Sequence, residues 1–250
     1  MLTPAVAGVV TFIFTALLTI AGIGAAFILI PIFVALGIDL YTAMATALLL
    51  NAVAMSLASA RFIRNRLVVW NVALPILIVA APLSPLGAYV SHGLDRAVLL
   101  WLFVAFLVFA AAMMLFYEPR PRRAAPSRLW LLGCGGSVGA FAGFLGGLLG
   151  VGGGNLIVPV LVWLGFDPKK ASATTSFVVI FSSLTGFLGH ASLGHMNPAL
   201  LGFTAVGSAT GALVGAWLMT DKLKGRQVKL VIGFVLLGIA AKMAWDLLSA

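Results

Sequence analysis

The chain of 250 residues is 62% hydrophobic and only 8% charged, with a mean hydropathy of +1.18 and a net charge of +9. An ordinary soluble domain carries about 25% charged residues, so this chain cannot clothe a globule in polar surface. A soluble enzyme, a nucleic-acid-binding domain and a disordered chain are excluded; the bilayer is the partner, and the positive balance belongs to membrane topology.

Met1-Leu2-Thr3-Pro4 has no basic residue, and the apolar run Ala5–Leu36 is too long for a signal-peptide core. It reads as mature structure. Apolar runs of about span length follow at Ala43–Ala60, Val68–Val90 and Val98–Tyr117. Glu118–Arg128 holds three prolines and four arginines and reads as a linker. Beyond it come Leu129–Leu164, Ala171–Leu188, Ala199–Met219 and Val228–Leu248. The expected organisation is a first transmembrane repeat (1–117), an Arg/Pro-rich linker (118–128) and a second repeat (129–250). The single cysteine, Cys134, permits no intramolecular disulfide and no metal cluster; it reads as apolar filler, and no cofactor is expected.

Repetition is visible at an offset of 128. Gly22 falls on Gly150, Gly24 on Gly152, Pro31 on Pro159, Gly37 on Gly165, Asp39 on Asp167, Ala43 on Ala171 and Thr46 on Thr174. Gly87-Ala88 still falls on Gly215-Ala216. Apolar bias alone does not align Gly, Pro, Asp and Thr together, and internal duplication in a membrane protein points to transporters.

The runs Ala5–Leu36 and Leu129–Leu164 are awkward. A continuous helix would reach roughly 50 Å at 1.5 Å per residue, too long for one span and too short for two. Glycines interrupt both runs near the middle. If each run crosses once, the fifteen Lys/Arg divide eight against seven; if each turns back, they divide thirteen against two, with Arg96 and Lys242 alone opposite. Only the second obeys the positive-inside rule. Each repeat is therefore a broken helical hairpin plus three transmembrane helices, and the odd count inverts the second repeat. The expectation is an all-α polytopic protein of the bacterial inner membrane with Arg-rich loops in the cytoplasm.

Gly150-Val151-Gly152-Gly153-Gly154-Asn155 is the most specific stretch. Glycine costs about 1 kcal/mol in a helix, and unwound backbone survives in a membrane only where protein or a wet cavity surrounds it. A helix restarting there aims N–H groups and a positive dipole end at a cavity, a site for an anion. The first repeat carries a weaker copy, Gly22-Ile23-Gly24-Ala25-Ala26. The candidate substrate-binding residues are Gly24, Ala25, Phe27, Thr46 and Asn51 in the first repeat, and Gly152, Gly153, Gly154, Asn155, Thr174, Thr175 and Ser176 in the second. The hydroxyls and amides supply donors without fixed charge; interhelical or i−4 bonding is their plainer use. Pro31 and Pro159 shape the returning arms. Asp39 and Asp167 read as helix caps, and no carboxylate lies deep in a span, which disfavours a cation substrate. His190 and His195 flank an outer loop, and the six tryptophans sit near span ends as interfacial anchors.

No nucleophile–base pair, metal-ligand spacing or phosphate loop is present, so the chain is not read as an enzyme, and transport must draw on a gradient. A proton or sodium ion is the candidate coupling ion and a homo-oligomer the candidate assembly; no nucleic acid is expected. A passive anion channel and a non-transporting membrane scaffold subunit stay open as alternatives.

Gly150-x-Gly152-Gly153-Gly154, Pro159-x-Leu161, Gly165 and Ala171-x-x-Thr174 together resemble the TauE/SafE-type sulfite exporter family, also called the toluene sulfonate uptake permease family. The resemblance covers nearly the whole chain. It implies a secondary transporter of a small anion, sulfite or an organosulfonate or related sulfur-containing acid. Ala25-Ala26 replace two of the motif's glycines in the first repeat, which implies unequal contacts at the two breaks.

Overall fold

The computed structural model describes residues 2–35, 40–91, 96–116, 127–149, 154–190 and 198–248. They form ten α-helices: α1 (Leu2–Ala21), α2 (Ala26–Ala35), α3 (Leu40–Arg64), α4 (Trp70–Ser91), α5 (Arg96–Phe116), α6 (Arg128–Leu149), α7 (Gly154–Trp163), α8 (Pro168–His190), α9 (Pro198–Trp217) and α10 (Gly225–Leu248). A π-helical turn, Leu218–Lys222, closes α9. Each expected span has become a helix, and each long run has become two helices. The stretches Ala45–Arg64, Leu201–Lys222 and Gly225–Leu248 are long and apolar enough to cross a membrane. Ile78, Phe109, Val206 and Phe234 are each more than 60% exposed, an exterior suited to hydrocarbon. Trp70, Trp163, Trp217 and Trp245 are exposed at or near helix ends, as interfacial anchoring requires.

Glycine rows set the two closest seams. Gly207, Gly211 and Gly215 of α9 press on the backbone of Gly8, Phe12 and Ala16 of α1; a Cβ on Gly211 would stand 2.5 Å from the Phe12 carbonyl oxygen. Gly135, Gly139 and Gly143 of α6 press on α4 at Val72, Ile76 and Ala80 in the same way. In lipid, where no hydrophobic force joins helices, close backbone approach through small residues is what binds them. Gly211→Val is therefore expected to lower the thermal midpoint in detergent, by overpacking of about 1–3 kcal/mol. Gly202→Val on the same helix, where a Cβ meets nothing within 4 Å, should leave it unchanged.

Both seams run in rising register, so α1 is parallel to α9 and α4 to α6. The remaining large seams join α3 to α8 and α5 to α10. Exchanging the first five helices for the last five turns the α1–α9 seam into the α6–α4 seam and returns α3–α8 and α5–α10 to themselves.

The ends of the helices can now be placed. Arg61, near the end of α3, donates through Nε to Thr220 Oγ1 at 2.9 Å and pairs with Asp221; Lys169, at the start of α8, donates to the Thr220 carbonyl at 2.9 Å. The ends of α1, α3 and α9 and the starts of α4, α6 and α8 therefore share one face. The five steps from Ala35 to Leu40 reach at most about 18 Å, less than the roughly 30 Å length of α1, so α2 finishes towards the face from which α1 set out. For the second run, Trp130 at the start of α6 stacks on Phe166, just beyond α7, with ring centroids 6.1 Å apart. Arg61, Lys169 and Asp221, which a single crossing per run would have put at opposite ends, meet at one.

Candidate functional site

The first break is built by backbone. Gly22 (φ 73°) ends α1: its N–H donates to Thr19 O at 3.1 Å and the Ile23 N–H to Leu18 O at 3.2 Å, the Schellman arrangement that needs a left-handed residue. Gly24 is also left-handed (φ 86°). Ala25 then caps α2 through its carbonyl, which accepts from Ile28 and Leu29.

Alanine brings no side-chain acceptor, and the neighbouring helices supply what it lacks. Asn51 of α3 accepts the Ala25 N–H through Oδ1 at 2.7 Å and donates through Nδ2 to Ser183 Oγ of α8, also at 2.7 Å. Asn51 and Ser183 are both 3% exposed, so both bonds sit in a dry interior where an unmade one is expensive. Ser172, also buried, donates to the Ile20 carbonyl at 2.8 Å and holds the end of α1 against α8.

The expected second break, residues 150–153 with Gly152 and Gly153, lies outside the described residues. Its far side is clear. Gly154 opens α7 so close to the first break that a Cβ there would stand 2.7 Å from the Ile23 carbonyl oxygen and 2.9 Å from a Val179 methyl. The two half-helix starts therefore face each other inside the bundle. Asn155, 2% exposed, leaves its Nδ2 without a partner, and Pro159, buried four residues on, frees the Asn155 carbonyl from the helix ladder. The breaks are unequal: at the offset of 128, Asn51, which seals Gly24 and Ala25, falls on Val179, which offers Gly154 only a methyl.

The other candidates divide. Thr174 Oγ1 accepts from the Val69 N–H at 3.1 Å, holding the start of α4. Ser176 donates to the Ser172 carbonyl one turn back, at 3.0 Å. Thr175 is fully buried with its hydroxyl unpartnered. Thr46 is buried on α3, and Phe27 lies in the first turn of α2. Asp167 Oδ1 accepts from the N–H groups of Lys169 and Lys170 and so caps α8; Asp39 and His195 lie outside the described residues. Ser172 and Ser183 hold the site together although the duplication marks neither, since they fall opposite Met44 and Met55. Among the described residues no cluster of His, Cys, Asp or Glu is placed to hold a metal. Two apolar hollows of about 430 and 230 Å³, sharing Phe141, Val160 and Trp163, open outward beside α6 and α7 rather than at the breaks.

The sequence profile of the sulfite exporter TauE/SafE family matches residues 7–243. The chain is 27% identical over 202 residues to the probable membrane transporter protein YunE of Bacillus subtilis (strain 168), covering 74% of each chain. It is 24% identical over 208 residues to the probable membrane transporter protein y4hK of Sinorhizobium fredii, covering 80% of this chain and 81% of that one. With sulfite exporter TauE/SafE family protein 1 of Arabidopsis thaliana it shares 40% identity over 74 residues, 30% of this chain and 16% of the plant protein. A multi-pass helical bundle with an apolar exterior and a match over nearly its whole length thus belongs to the sulfite exporter TauE/SafE family, a family of membrane transporters rather than enzymes.

Proposed function

We propose that the chain is a secondary transporter of a small anion, sulfite or an organosulfonate or other sulfur-containing acid, working by alternating access. The observation that carries the reading is the meeting of the two half-helix starts, with Gly154 against the Ile23 backbone. Two positive dipole ends converge there without a lysine or arginine, which favours an anion that must also be released. The anion sits between Gly24–Phe27 and Gly152–Asn155, with Thr46, Asn51, Thr174, Thr175 and Ser176 around it. Residues 1–117 and 129–250 act as inverted repeats joined by the linker 118–128; the exchange symmetry of the helix seams supports this. The face that gathers Arg61, Lys169 and Lys222 is cytoplasmic by the positive-inside rule, and a proton or sodium gradient drives the cycle. The relatives named as sulfite exporters support the choice of sulfur oxyanions.

Uptake of radiolabelled sulfite and ethanesulfonate into proteoliposomes tests the reading. The expected result is saturable uptake, with at least one of these anions raising the thermal midpoint of the detergent-solubilised protein. Flux that rises linearly with concentration would make the protein a channel. No flux, and no stabilisation by any anion, would make it a scaffold.

A further inference from the structure

Thr11, Thr15 and Thr19 of α1 are each 0% exposed, and none of their hydroxyls has a hydrogen-bond partner. Spaced by four residues, they form a column rising in steps of about 6 Å. Val9, Ile13 and Leu17, each two residues earlier and so about 200° round the helix, are 60%, 48% and 43% exposed. The column therefore faces the bundle interior, directly away from lipid. It begins halfway along α1 and ends at Thr19, whose carbonyl accepts from Gly22 at the first break.

The ordinary use of a hydroxyl in an apolar helix is to bond back to the carbonyl one turn earlier. Outward-facing hydroxyls here do so: Ser56 to Ala52, Thr185 to Phe181 and Thr210 to Val206. The three on α1 do not, although burial makes an unmade bond costlier for them than for any group at the surface. At the offset of 128, Thr11 and Thr15 fall on Gly139 and Gly143, which close the α6–α4 seam, so packing alone does not call for hydroxyls at these places.

We propose that Thr11, Thr15 and Thr19 line the half nearer the break of the route by which the solute passes between the outer face and the breaks. Their O–H groups are offered in turn to the oxygens of a small oxyanion, and the route is occluded in this structure. The inference rests on the transporter reading above and adds to it a set of contacts outside the breaks. A hydroxyl column suits a guest that must be held and passed on, since hydrogen bonds to a charged group are strong enough to replace hydration without the trap a lysine would set.

The test uses the full chain in proteoliposomes with ethanesulfonate and sulfite. Thr15→Val, of equal volume, is expected to lower uptake about tenfold or more, and Thr15→Ser to restore most of it. In parallel, Thr15→Cys on a Cys134→Ala background is treated from the outer side with a sulfonated, membrane-impermeant thiosulfonate reagent in sulfite-free buffer; reaction is expected. Wild-type uptake with normal Thr15→Val transport and an unreactive Thr15→Cys would overturn the column and leave the transporter reading intact. If Thr15→Val does not insert, Thr15→Ser and Thr15→Cys decide alone. If the wild type carries neither anion, the anion reading fails; a reactive Thr15→Cys would then still support the column as a polar route, and an unreactive one would overturn it too.

Discussion

Asn51→Asp is expected to leave the protein folded and inserted yet to cut ethanesulfonate uptake about a hundredfold. The substitution keeps the shape of the side chain. One carboxylate oxygen still accepts the Ala25 N–H, and the Ser183 hydroxyl, which accepts from Asn51 in the native chain, turns to donate to the other. What changes is charge: two unit negative charges about 6 Å apart at an effective dielectric near 20 repel by about 3 kcal/mol, about two powers of ten in affinity. The charge of the new carboxyl is present at high pH and lost when it is protonated as pH falls. Uptake of ethanesulfonate, ionised throughout, should recover on acidification in the variant and show no such recovery in the wild type. Asn51→Leu should behave differently. It strands the Ala25 N–H and the Ser183 hydroxyl in a dry interior at about 1–3 kcal/mol each, so it should lower thermal stability at every pH. Uptake by Asn51→Asp equal to the wild type at neutral pH would place the anion elsewhere.

The first break was legible because it rests on features that one sequence displays: glycines near the middle, a run too long for one span, and the sidedness of arginine and lysine. Asp167 was legible as a cap for a related reason, since capping needs only its own three neighbours. The partners of the first break were not legible. Asn51 stands 26 residues from Ala25 and 132 from Ser183, and no periodicity connects positions so far apart; only the packing of α2, α3 and α8 does. The duplication misleads here as well as helps. It draws attention to Thr46 and Thr174, of which Thr174 steadies the start of α4, and passes over Asn51 and Ser172, which have no polar counterparts. Thr11, Thr15 and Thr19 are evenly spaced in the sequence, but spacing does not separate a hydroxyl bonded to its own helix from one left open, and the structure does.

Gly22→Ala is expected to be the most damaging single methyl in the molecule, and its pairing with Gly24→Ala shows why. Both positions are left-handed, where any other residue costs about 1–2 kcal/mol. They differ in what the new Cβ meets. At Gly22 it runs into the Ser172 carbonyl oxygen and stands 2.6 Å from the Ser172 Cα, both of them backbone of α8. At Gly24 it stands 2.5 Å from Asn51 Oδ1, the end of a side chain. A helix backbone cannot rotate away, so α1 must withdraw from α8 and give up the bond from Ser172 to Ile20. The overpacking term, about 1–3 kcal/mol, adds to the strain and the lost bond for a total of at least about 3 kcal/mol. Truncating Ser172 should not rescue Gly22→Ala, because Ser172→Ala removes the hydroxyl and leaves the carbonyl in place. Truncating Asn51 should partly rescue Gly24→Ala, because Asn51→Ala removes the atoms that clash. Thermal midpoints of the four single variants and two double variants check this as a pair of mutant cycles: at Gly22–Ser172 the coupling is small, no more than the one hydrogen bond both variants remove, about 1 kcal/mol, while the backbone clash persists; at Gly24–Asn51 it is larger, because truncating Asn51 removes the clash itself. Equal coupling in both cycles would mean that the break is not held open by the contacts described.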